Sequence, residues 1–233
     1  MNRLAMIILL SVGGVCAVFA QAPATQAPQN RRAAASAWSE EGLSKVAVKG
    51  LDVVYAKPGA TLAGYAKVLL APISVAFRRD WEKQSAPGSR TPIKASDSQR
   101  IKDSLSKIVR EEVVRQLNDG GYHLVDAPGS DVLDVEMSII DLDIAAPDIQ
   151  SAGRVETFAV SAGEMTLVAA LRDSVSGDVV MRIFDRAQAR ESFRPQRITS
   201  VENISEARDA AKGWAKALRK ELDLARTVGT TKP

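Results

Sequence analysis

One cysteine and one histidine are all that these 233 residues offer to thiol, imidazole or zinc chemistry. The cysteine, Cys16, lies in an apolar run at the N-terminus. A chain that loses that run has no thiol and forms no disulfide, so its stability rests on a hydrophobic core. His123 sits in the short segment Tyr122-His123-Leu124 with no nucleophile turn beside it. A triad needs a histidine beside its nucleophile, so His123 reads as structural. Zinc needs several His or Cys ligands, which a mature chain lacks. The formal charge is only +3. No dense basic patch stands out, which excludes the usual nucleic-acid binder.

What is present is an ordinary globular composition, 45% hydrophobic and 25% charged. The start is not ordinary. Arg3 precedes an apolar run from Leu4 to Ala20, loosened by Ser11, Gly13 and Gly14. A basic end, an apolar stretch and a small-residue site make a secretory signal peptide over residues 1–20, with Ala20 as the last residue removed. Two alternatives remain. One is an outer-membrane lipoprotein tethered through Cys16, although Gly13 and Val15 stand where a lipobox has Leu and a small residue. The other is an uncleaved anchor, for which an apolar run of about 17 residues is at the short limit.

Residues 21–37 are rich in Ala, Pro, Gln and Thr, carry Arg31-Arg32, and read as a flexible linker. A single domain follows over residues 38–227, with a polar tail at 228–233. Lys67 to Phe77 reads as a buried strand interrupted by Pro72. Ser96 to Asn118 reads as an amphipathic helix, capped by Ser96 and stopped by Gly120-Gly121. Its apolar stripe is Ile101, Leu105, Ile108, Val109, Val113 and Leu117. Tyr122 to Asp126 is a short strand.

Val132 to Ile144 alternates twice with opposite parity, which predicts a bulge between Ile139 and Ile140. Glu164 to Arg172 and Val179 to Arg186 form a hairpin around Ser176-Gly177. A last helix runs from Ser200 to Arg226 behind a capping box, Thr199-Ser200-Val201-Glu202. Its predicted buried stripe is Val201, Ile204, Ala211, Trp214, Leu218, Leu222 and Ala225. The fold class is α+β: a mixed, largely antiparallel sheet of about five or six strands with two long amphipathic helices packed on it.

Several segments carry a resemblance. They are Gly50-Leu51-Asp52 with Tyr55, Pro58-Gly59-Ala60, Gly64-Tyr65 before Lys67-Val68-Leu69-Leu70, Phe77-Arg78 and Asp80-Trp81. Ser161 to Leu167, Leu171 to Ser174, Ser176-Gly177, Ala207-Arg208 and Trp214-Ala215 complete the set. With them the chain resembles the bacterial envelope family known as domain of unknown function 3313, over about Trp38 to Asp223. The resemblance implies an exported protein with no assigned activity, in a family many of whose members are described as lipoproteins.

Candidate sites are few. Asp131, Asp134, Glu136, Asp141, Asp143 and Asp148 are mostly explained by strand alternation, and Arg172, Arg182 and Arg186 are placed to pair with them across strands. Ser151-Ala152-Gly153 recurs as Ser161-Ala162-Gly163, two Gly-containing bends. Arg186, Arg190, Arg194 and Arg197 would form one basic row on a helix. With Arg78, Arg79 and Trp81 they are the candidate partner contact. No catalytic residue, metal ligand or cofactor is expected.

The reading is a non-enzymatic interaction or assembly module of the periplasm. Its partner is an envelope protein, peptidoglycan or an anionic lipid, with no nucleic acid, and a membrane only if the chain is lipidated or its leader uncleaved. An envelope hydrolase is the alternative from another class. Export predicts that N-terminal sequencing of the protein from the periplasmic fraction starts at Gln21. A mature chain that starts at an acylated Cys16 contradicts this.

Overall fold

The computed structural model describes residues 31–79, 81, 94–144, 157–159, 163–189, 196–198 and 200–230. Ala20, Cys16, Arg190, Arg194 and Thr199 lie outside the described residues. The main sheet has eight strands: β1 (Ser44–Val46), β2 (Val53–Ala56), β3 (Lys67–Leu70), β4 (Ser74–Phe77), β5 (His123–Leu124), β6 (Val132–Ile144), β8 (Gly163–Asp173) and β9 (Val179–Gln188). β7 (Thr157–Ala159) and β10 (Gln196–Ile198) form a separate antiparallel pair. The helices are α1 (Arg31–Glu40), α2 (Ala95–Asp119) and α3 (Ser200–Thr230).

The class is α+β, with a mixed and mostly antiparallel sheet and two long helices. The strands exceed the count read from periodicity. β1, β2 and β5 are two to four residues long, too short to show a period.

β6 is the spine of the sheet. One edge pairs antiparallel with β8 along nearly its whole length. The other edge pairs in parallel first with β3 and then with β4. Those two strands come from the single predicted segment Lys67 to Phe77. Proline has no N–H to give to a ladder, and the pairing stops around Ala71-Pro72-Ile73.

Leu133, Val135, Met137 and Ile139 face the core beneath α2 and α3. Ile140 keeps the alternation and packs in a second cluster with Trp38, Leu43, Val53, Tyr55, Val168 and Phe184. The bulge falls after Ile140, not before it. The register with β8 shifts between Ile140 and Asp143, and Asp141 takes φ 51°. Aspartate tolerates that left-handed conformation better than the neighbouring isoleucine or leucine. The extra residue returns Leu142 to the core.

Two helix starts differ from expectation. The N-cap position of α2 is Lys94, with no side-chain cap, so Ser96 lies inside the first turn. α1 begins at Arg31, inside the stretch read as linker. Its Ala33-Ala34-Ala35 run is strongly helix-forming. Its last turn carries Trp38, which is 1% exposed and meets the Tyr55 ring edge-on at 5.7 Å.

α1 thus covers the face of the sheet opposite α2 and α3. Its far end is tied by Arg182, which donates to both Glu41 oxygens at 2.7 and 3.1 Å. Glu41, rather than the Asp-rich strand, is the partner of this nearly buried guanidinium. Glu41→Gln leaves that charge half-partnered and is expected to cost about 1–3 kcal/mol in urea unfolding. Adding Arg182→Met should recover much of the loss, because the lone buried charge is then gone. A single variant as stable as the parent contradicts this role.

Candidate functional site

α2 and α3 lie side by side and point the same way. Their C-terminal ends are locked. The Tyr122 hydroxyl donates to Asp223 at 2.9 Å, and Arg226 stacks on the Tyr122 ring at 3.6 Å while donating to the Gly120 carbonyl. Burial and the Asp223 hydrogen bond push the Tyr122 phenol up to about 12. Midway along the helices, the buried Glu112 carboxylate accepts from Arg115 and lies 3.6 Å from Arg208 of α3. Trp214 donates from Nε1 to Asp185 at 2.7 Å, which fixes α3 to β9.

The N-terminal ends are not closed in the same way. There α3 carries Ala207 and Ala210 where it faces Ile101, Leu105 and Ile108 of α2, and a groove of about 430 Å³ opens between the helices over the strand ends. Leu142, Ile144 and Met165 also line it. The stripe of α3 outruns its cover. Ala211, Trp214, Leu218 and Leu222 are buried, but Val201 is 72% and Ile204 45% exposed. The expected burial of those two residues is therefore corrected: the helix continues past the edge of the core.

At the strand ends the charges compensate one another. Arg78 pairs with Asp143 at 2.7 Å and reaches Glu164 at 3.7 Å. Arg186 pairs with Glu164, which raises its pKa. Burial, with Glu164 second, raises the pKa of the bulged Asp141. On α2, Arg100 pairs with Asp97. Glu206 and Asp209, on the α3 side of the groove, make no ion pair among the described residues.

The predicted contact residues separate. Trp81 is 1% exposed, stacked on Phe77 at 4.0 Å, and donates to the Ile144 carbonyl at 3.3 Å. Its ring belongs to the interior, which corrects its assignment as a surface anchor. Arg79 is exposed. Arg186 lies on strand β9, so no helical row starts from it. Arg190 and Arg194 lie outside the described residues, and Arg197 is placed in β10 opposite Phe158.

His123 is exposed on β5 at the sheet edge, away from the groove. Among the described residues no group of three or more His, Cys, Asp or Glu is placed to hold a metal ion. Asp131 pairs with Lys67 at 3.0 Å instead. No helix among the described residues is long and apolar enough to cross a membrane. The groove residues Ile144, Met165, Ala207, Ala210, Glu206 and Asp209 escaped sequence reasoning. The available signal was alanine at α3 positions in phase with Trp214 and Leu218.

Fold and groove together define a two-sided α+β domain: one helix on one face, a parallel helix pair on the other, and an apolar opening at one end of that pair. The chain belongs to the family described as Protein of unknown function (DUF3313), which matches residues 34–218. No curated protein matches it.

Similar solved structures include a Xanthomonas campestris protein of the DUF330 family, 14% identical, TM-score 0.43, spanning 76% of this chain and 94% of that one. The PelC dodecamer from Paraburkholderia phytofirmans is 13% identical, TM-score 0.35, spanning 71% and 96%. A minor lipoprotein from Acinetobacter baumannii is 10% identical, TM-score 0.27, spanning 71% and 94%.

The groove end depends on Gly163, at φ +145° opposite Ile144. A Cβ there would stand 2.1 Å from the Asp143 carbonyl oxygen. Gly163→Ala is therefore expected to destabilise by about 1–3 kcal/mol in urea titration, the range for a strained backbone. Stability equal to the parent refutes this account of the bulge.

Proposed function

We propose that the protein is an exported, non-enzymatic binding module of the bacterial cell envelope, and that the groove between α2 and α3 holds a segment of a partner protein. Export rests on the leader of residues 1–20. The binding reading is carried by one observation: Ile204, at the end of the α3 stripe, stands 45% exposed beside an apolar cavity of about 430 Å³. Exposed apolar surface in contact with water is costly. A contiguous exposed patch with a polar rim marks an interaction site more often than it marks ordinary surface.

The charged groups nearest the cavity also favour binding over catalysis. Arg78, Asp143, Glu164 and Arg186 satisfy one another at the strand ends. Side chains engaged with one another in ion pairs are not presented to a substrate as free acids or bases. The partner contact therefore moves from the arginine row to the apolar opening.

The neutral dye N-phenyl-naphthylamine tests this directly, because its emission rises in apolar surroundings. Emission should increase with the parent protein. It should fall to the level of free dye with Ala207→Leu/Ala210→Leu, which fills the opening with good helix formers. Equal emission from a folded double variant, checked by circular dichroism, removes the groove as the binding site.

A further inference from the structure

We infer that the occupant of the groove is a peptide segment that combines apolar side chains with lysine or arginine. This rests on the groove being the binding site. The first argument is charge. Arg100, Asp143, Glu164 and Arg186 are each committed to partners, whereas Glu206 and Asp209 are not paired among the described residues. Among the described residues the uncompensated charge beside the apolar surface is negative, and its complement is cationic. A lipid phosphate or a fatty-acid carboxylate placed there would meet like charge, at a cost that grows as water is excluded.

The second argument is shape. Exposed Ile204 lines the groove together with Ala207 and Ala210 on α3, opposite Ile101, Leu105 and Ile108 on α2. The lining runs from Asn203 to Ala210 on α3 and from Arg100 to Ile108 on α2, which are rises of about 10 and 12 Å. Those lengths suit several successive apolar side chains of a peptide better than one compact group. Apolar anchors inside with charges at the rim are the usual division of labour in a peptide groove.

The test is selection of a random peptide library displayed on phage against the full chain, with depletion on Ala207→Leu/Ala210→Leu. Enriched peptides should carry clustered apolar residues flanked by Lys or Arg. A synthetic copy of the consensus should bind Glu206→Lys/Asp209→Lys at least tenfold more weakly, with the circular dichroism spectrum and urea midpoint of that variant those of the parent. Enrichment of acidic or uncharged peptides, or equal affinity for the charge-reversed variant, overturns the inference. So does groove-dependent binding of dodecanoate or phosphatidylglycerol vesicles without peptide enrichment, which assigns the groove to acyl chains. Self-association that disappears on charge reversal makes a second copy the occupant and likewise overturns it. In these cases the dye still responds and only the occupant is wrong. Absence of both dye and peptide binding sinks the groove itself.

Discussion

The alternation of β6 and its reset at Asp141 govern the rest of the molecule. Strand side chains repeat every two residues, so one strand feeds two cores at once. Leu133, Val135, Met137 and Ile139 supply the core under α2 and α3, while Ile140 supplies the cluster closed by α1 and Trp38. Without the extra residue, Leu142 would point away from the helices. With it, Leu142 and Ile144 continue toward the opening between the helix N-termini, and Gly163 gives the bulged strand room to approach β8.

The opening follows from an unequal distribution of bulk along α3. Trp214, Leu218 and Leu222 fill the space against the sheet, and Tyr122, Asp223 and Arg226 fasten the C-terminal ends. Alanines at 207 and 210 leave space at the other end. Cores are close-packed, and a void next to the exposed Ile204 forfeits contacts that larger side chains would make. That loss is explained if another molecule supplies the missing contacts.

Much of this was legible in the sequence where periods were long. Ala95–Asp119, Ser200–Thr230 and the β8–β9 hairpin follow their apolar patterns closely. The parity switch located the bulge to within two residues, but the pattern does not say which residue is extruded. Backbone tolerance of φ 51° decides for Asp141. The short strands β1, β2 and β5 carry no readable period. α1 was hidden because alanine is neutral to an apolar-stripe argument although it forms helix well.

The site was less legible than the fold. Arg78, Trp81 and Arg186 stand out in sequence as charged or aromatic, yet their partners Asp143, Ile144 and Glu164 come from distant strands. The groove is made of residues that look like core, and only the absence of a covering element among the described residues distinguishes them. Ile204 belongs in phase with Ala211 and Leu218, and nothing local reveals that it stays 45% exposed.

The central claim is that this end of the core is accessible to apolar molecules from outside. Methyl NMR of isoleucine-labelled protein with a small apolar nitroxide measures that access residue by residue. The account predicts strong broadening of Ile101, Ile144 and Ile204, with Ile139 and Ile183 left sharp inside the core. Equal broadening of all five methyls, or sharp signals from the three at the groove, would contradict it.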